Sequence, residues 1–172
     1  MEQLRRLIAD VADFPKPGIM YKDFTPLLAD PRGLALAVEL MANPFRGTGV
    51  DVVVGAESRG FIFGTAIAQS LAAGFVPIRK AGKLPRAVRG LSYELEYGTD
   101  RLEIHADAVR QPHKVLIVDD LLATGGTLSA CCELVAQAGA TIVGIAVLIE
   151  LASLGGRAKI QKHGTVHSVI QY

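Results

Sequence analysis

With 172 residues, half of them apolar and 20% charged, the chain can build one full hydrophobic core but not two ordinary domains, which excludes a disordered or multidomain protein. A net charge of +1, with no basic stripe interleaved with aromatics, excludes nucleic acid as a natural partner. The longest apolar run, residues 142–149 with Gly144 inside it, is far too short to span a membrane.

In chain order, Leu4, Leu7, Ile8 and Val11 share one face at helical spacing and predict an amphipathic helix over roughly residues 4–11. Glu2, Arg5, Arg6 and Asp10 break up any leader-like apolar block there, so a cytoplasmic protein is expected. Pro15, Pro17 and Gly18 end that helix, and residues 19–28 read as an irregular arm packed on the surface. Asp30-Pro31 is an N-cap with proline at the first helical position, and the apolar spacing carries this helix to about Asn43. Val52, Val53 and Val54 form the first central strand. The turn Gly55-Ala56-Glu57-Ser58-Arg59-Gly60 leads into a helix bearing Phe61, Ile62, Ala66, Ile67 and Leu71. Residues 75–78 restart a strand, so strand, helix and strand imply a right-handed parallel crossover.

Arg79, Lys80, Lys83, Arg86 and Arg89 then place five cations in eleven positions. Such a cluster is either a solvated loop or a polyanion site. Arg59 at a strand-to-helix turn and Lys80 directly after a strand favour the second, because both fall on the sheet edge where ligands bind. From about 81 to 101, glycines and charges outnumber core residues, which predicts a long mobile loop acting as a lid, closed by a strand at 102–105.

Val115, Leu116, Ile117 and Val118 form an apolar run too short for a helix, as a central parallel strand buried on both faces requires. Asp119 and Asp120 stand at its end. Ala123-Thr124-Gly125-Gly126-Thr127 follows, and then Leu128, Cys131, Cys132, Leu134, Val135 and Ala138 at helical spacing. The glycines permit close backbone approach, the threonines offer hydroxyls, and the helix start supplies unpaired N–H groups and a positive dipole end. That combination binds a phosphate, and the neighbouring carboxylates suit sugar hydroxyls. Adjacent Cys131 and Cys132 point about 100° apart on a helix and read as reduced. Gly139 stops the helix, residues 141–149 form another buried strand, 153–162 a short helix and 165–170 a final strand. His105, His113, His163 and His167 share no ligand spacing and read as structural.

The run from Val115 to Thr127 resembles the phosphoribosyl pyrophosphate (PRPP) signature of type I phosphoribosyltransferases, and its Asp-Asp-Leu-Leu-Ala-Thr-Gly-Gly-Thr form resembles the adenine phosphoribosyltransferases among them. The match runs in order from Pro15 to Gln171. It implies an α/β fold of one domain, with a mostly parallel central sheet flanked by helices, a small hood at about 14–28 and a flexible catalytic loop at about 81–101. It implies conversion of adenine and PRPP to AMP and pyrophosphate, with Mg²⁺ held through PRPP and water and by no direct protein ligand. A homodimer is implied too.

Carried over by position, Asp119, Asp120, Ala123, Thr124, Gly125, Gly126 and Thr127 hold the ribose and its 5′-phosphate. Arg59 and Lys80 hold the pyrophosphate, with Arg79 and Lys83 reaching across the dimer interface. In the hood, Tyr21 stacks on the base while the main chain of Met20 and Lys22 reads its edge; many relatives have Phe and Arg where this chain has Tyr21 and Lys22. Leu151 either walls the base pocket or is a plain core leucine. Glu96, within Leu95-Glu96-Tyr97-Gly98, falls at the family's proton-transfer carboxylate. Two rivals remain: a transferase for xanthine or guanine, and a non-catalytic PRPP-sensing regulator. The regulator should carry a DNA-binding extension and dispense with the lid.

Overall fold

The computed structural model describes residues 2–94 and 99–172. Among them, seven strands form one sheet: β3 (Val52–Ala56), β4 (Gly74–Lys80), β5 (Val88–Glu94), β6 (Thr99–His105), β7 (Lys114–Leu122), β8 (Thr141–Glu150) and β9 (Val166–Gln171). Their spatial order is β5-β6-β4-β3-β7-β8-β9, parallel from β4 through β9 and antiparallel where β6 meets β4 and β5. A separate antiparallel pair, β1 (Ala9–Ala12) and β2 (Met20–Asp23), lies outside that sheet.

The period-two alternation of β7 divides the core. Leu116 and Val118 cluster with Met41 of α3 (Pro31–Ala42) and with Phe63 and Ile67 of α4 (Gly60–Ser70). Val115 and Ile117 cluster with Leu128, Cys131 and Leu134 of α5 (Gly126–Gln137). Each such buried aliphatic side chain contributes about 1.5–3 kcal/mol relative to exposure, so the strand that carries the acids is anchored on both faces. Helix α3 starts where its sequence predicts: Asp30 accepts from the Gly33 N–H at 2.6 Å. Cys131 and Cys132 are free and buried.

Beyond residues 19–28, expected to be irregular but holding β2 and a short helix α2 (Thr25–Ala29), three expectations need correction. The helix expected over 4–11 is α1 (Glu2–Arg5) only; Leu4 and Ile8 are buried, but Val11 is taken into β1 opposite Tyr21, a strand partner that local periodicity cannot reveal. Much of the long loop expected at 81–101 is instead the β5–β6 hairpin, whose Leu91 and Tyr93 pack against the α5 side of the core. Third, Asp119 and Asp120 lie inside β7 and not after it. The pairing with β3 stops at Val118, whereas β8 continues to pair as far as Leu122.

Candidate active site

Where β3 stops and β7 continues, a cleft of about 510 Å³ opens, walled by residues 57–59, Lys80 and the continuous run 119–128. Arg59, Lys80, Asp119, Asp120, Ala123, Thr124, Gly125, Gly126 and Thr127, placed together by sequence, all line it.

The acids are buried, at 8% exposure for Asp119 and 4% for Asp120. Asp119 Oδ1 accepts from the Asp120 N–H at 2.9 Å, and Asp120 Oδ2 pairs with Arg59 Nε at 2.8 Å. Burial first, and the adjoining Asp120 charge second, push the Asp119 carboxyl well above the usual range. Space here is fully used: a Cβ on Gly60, the first residue of α4, would stand 2.8 Å from Asp119 Oδ1.

The turn before α5 is equally constrained. Gly125 has φ +80°, and a Cβ there would lie 2.8 Å from the Gly156 carbonyl oxygen. Gly156, which opens α6 (Gly156–Ile160), is in turn pressed so close that its own Cβ would meet the Ala123 oxygen at 2.1 Å. Among the described residues no N-cap side chain engages the first N–H groups of α5, unlike those of α3. Tyr93 of β5 reaches to 3.5 Å from Thr127 Oγ1, and burial raises its phenol, which remains a neutral hydroxyl.

On the opposite wall the organising group is Glu57, which the sequence reading did not single out. Arg79 donates to it through Nε (3.2 Å) and Nη2 (3.0 Å), and the Lys80 N–H adds a third bond at 2.9 Å. The Arg79 guanidinium holds the Glu57 carboxyl below its usual range. Arg79 is thus folded onto Glu57 and the Lys83 carbonyl, and neither Arg79 nor Lys83 lines the cleft. Lys80 does, its ammonium 3.3 Å from Asp100. The rest of the basic cluster disperses: Arg86 pairs with Asp107 and Arg89 donates to the Gln137 carbonyl.

The hood residues stand beside this cleft. Arg59 Nη1 donates to the Tyr21 hydroxyl, so one guanidinium bridges β2 and the acid pair. Phe14 supports the Tyr21 ring edge-on at 5.1 Å. Met20 is half exposed, Lys22 Nζ pairs with Asp10 at 2.6 Å, and the Leu151 N–H donates to the Leu122 carbonyl at the end of β7. Glu96 lies outside the described residues. Among the described residues no group of three or more His, Cys, Asp or Glu could hold a metal ion. Gly156 was missed, the Gly155-Gly156 pair after β8 being its one local signal; Glu57 stands in the Glu57-Ser58-Arg59-Gly60 turn read from the sequence, but its pairing with Arg79 has no local signal.

The sequence matches the phosphoribosyl transferase domain family over residues 25–170. It is 54% identical over 169 residues to an adenine phosphoribosyltransferase of Rhodopirellula baltica, covering 98% of this chain and 82% of that one. Among solved structures, the adenine phosphoribosyltransferase of Rhodothermus marinus is similar at a TM-score of 0.95 and 51% identity, covering 99% and 97% of the two chains. That of Saccharomyces cerevisiae, solved with adenine and an imino-altritol bisphosphate, is similar at a TM-score of 0.92 and 37% identity, covering 98% and 97%.

Proposed function

The chain belongs to the phosphoribosyl transferase family, with adenine phosphoribosyltransferases as relatives along its whole length, and from that premise we propose that it joins adenine to the phosphoribosyl group of PRPP, releasing pyrophosphate and yielding AMP. The observation that carries this reading is one cleft lined by an acid pair, a glycine turn, Arg59, which pairs with Asp120, and Lys80.

Breaking the anomeric C–O bond sends its electron pair to pyrophosphate and leaves positive charge on the ribose ring. The adenine imidazole nitrogen forms the new bond at the same carbon and gives up its proton. Such a reaction needs anchors for both charges. The first N–H groups of α5, with Thr124 and Thr127, hold the 5′-phosphate and supply binding energy away from the reacting bond. Asp119 and Asp120 accept from the ribose hydroxyls. Positive charge developing on the ring strengthens carboxylate contacts as the transition state forms. Arg59 and Lys80 take up the negative charge on the leaving group.

The buried acid pair lining the cleft fits Mg²⁺ held through PRPP and water, an ion that when bound would offset pyrophosphate charge. In the hood, about residues 14–28, Tyr21 stacks on adenine, the main chain of Met20 and Lys22 reads its edge, and Leu151 walls the pocket. Glu96, in the stretch between β5 and β6, accepts the imidazole proton, an effect typically worth about 10² to 10⁴ in rate. Arg79 and Lys83 serve a homodimer in which they approach the partner's site. Two free, buried cysteines suit the reducing cytoplasm.

The deciding experiment supplies PRPP and Mg²⁺ with adenine, hypoxanthine or guanine and follows nucleotide and pyrophosphate release. AMP should form with a preference of about 10²-fold or more, because a site that pairs an amino group leaves buried groups unpaired against an oxo purine. Faster turnover of guanine or hypoxanthine overturns the assignment.

A further inference from the structure

The two walls assigned to the base come from distant parts of the chain, β2 on one side and Leu151 on the other, and one residue is fastened to both. The Tyr172 N–H donates to the Glu150 carbonyl and the Ala152 N–H donates to the Tyr172 carbonyl, both at 2.9 Å, so its backbone grips the residues on either side of Leu151. Its ring faces the hood. Lys22 Nζ stands 4.1 Å from the ring centroid, and Arg5 Cζ lies 4.9 Å from the same centroid while Arg5 Nη2 donates to the Gln171 carbonyl at 2.7 Å. The Lys22 side chain is only 13% exposed, and its charge is balanced by Asp10 of β1 at 2.6 Å, directly across the ladder in the Asp10–Lys22 register. A desolvated ammonium over an aromatic face is the setting in which this contact is strongest.

We infer that Tyr172 is a positioning residue for the base site: a cation–π brace that sets the distance between the β2 main chain and Leu151, and therefore the fit of adenine but not of PRPP. The inference rests on the adenine reading above. Its logic is geometric. The main-chain groups of β2 can discriminate a purine edge only if the strand is held at hydrogen-bonding distance from the base, and β1–β2 is a two-stranded pair outside the main sheet. A lone two-stranded unit is marginal by itself, so its placement depends on what its side chains grasp. Lys22 grasps Tyr172.

The test is a set of substitutions at Tyr172 with both substrates titrated. Tyr172→Ala should raise KM for adenine by about three- to tenfold, the range a single partly buried cation–π contact commands, with kcat and KM for PRPP changing much less. Tyr172→Phe, which keeps the ring, should restore the wild-type value. Tyr172→Leu, which keeps bulk without a π face, should behave like the alanine variant. A leucine variant with wild-type KM, or an alanine variant in which KM for PRPP rises as much as that for adenine, overturns the inference. A thermal-unfolding cycle of Lys22→Met, Tyr172→Leu and the pair reads the brace without catalysis, and should show non-additive shifts; additive shifts also overturn it. If the wild-type enzyme does not turn over adenine, the functional reading fails, and the unfolding cycle still judges the brace.

Discussion

Strands β7 and β8 lie side by side and both carry buried acids in their C-terminal halves, yet the two corners are built in opposite ways. Glu150 on β8 has its acceptor capacity filled: Arg157 donates through Nε at 2.9 Å and through Nη2, the Ser168 hydroxyl at 2.6 Å, and Gln171 Nε2 at 3.1 Å. The Arg157 guanidinium holds this carboxyl below its usual range. Asp119 on β7 receives one backbone N–H, sits against a second carboxylate and is pushed upward by burial. The helix starts repeat the contrast. Helix α3 is closed by the Asp30 side chain, whereas α5 has no side-chain cap. A saturated acid fastens secondary structure; an acid and a helix terminus left with unused capacity, facing one cleft, keep that capacity for a ligand at some expense to stability.

The strongest way to break this comparison is Asp119→Asn. The amide oxygen can still accept from the Asp120 N–H, so the fold should be as stable as wild type or more so in urea unfolding, since a buried charge beside another has been removed. Catalysis should suffer: each charged hydrogen bond lost to the ribose costs roughly 1.5–3 kcal/mol, or about ten- to a hundredfold in kcat/KM. A variant that loses stability and keeps its kinetics would place Asp119 among the fasteners. Glu150→Gln should do the reverse, leaving Arg157 without its counter-charge and lowering unfolding free energy by about 1–3 kcal/mol. Its effect on kcat/KM should be the smaller one.

How far each corner could be read from the chain follows from the same contrast. The β7 corner was legible because its parts are contiguous: an apolar run, two acids, a glycine turn and a helix within residues 115–138, of which the structure places 119–128 around one cleft. The partners that shape it were not legible. Glu57 becomes an organiser only because Arg79, twenty-two positions later, returns on the neighbouring parallel strand. Gly156 matters because α6 folds back against Gly125, a closeness no local pattern encodes. The hairpin was obscured because Leu91 and Tyr93 alternate with glycine, serine and charge on an edge strand that needs few apolar residues. The first helix was overextended because the spacing of Leu4, Leu7 and Ile8 is real while Val11 obeys its β2 partner.

The pH dependence of stability sharpens the comparison with a smaller effect of opposite sign at each corner. Glu150 is lowered, so its stabilisation is complete above its ordinary value of 4.5 and is lost as pH falls through the lower folded value. Asp119 is raised, so its contribution is complete below 3.8 and is lost as pH rises through its higher folded value. Unfolding free energies measured against pH should therefore show the gap between wild type and Glu150→Gln closing on acidification. The gap between Asp119→Asn and wild type should open as pH rises. If the stabilities of the two variants relative to wild type changed with the same sign as pH rises, the two acids would not differ as their surroundings require.

The smallest effect is expected where neither kind of corner exists. Arg86 belongs to the same run of cations as Lys80 and makes a close ion pair with Asp107 at 2.7 Å, but both partners are well exposed, at 60% and 69%, and neither borders the cleft. Water already solvates these charges, and holding two long side chains together costs the rotamer freedom that the weak attraction returns, so Arg86→Ala should leave the melting temperature and kcat/KM unchanged. Asp107 is held below its usual range chiefly by its bond from Arg86, so the substitution should let its carboxyl return toward the ordinary value in an NMR titration while stability stays put. A loss of activity in this variant would mean that the cation run acts on the substrate as one field, and not through Lys80 and Arg59 alone.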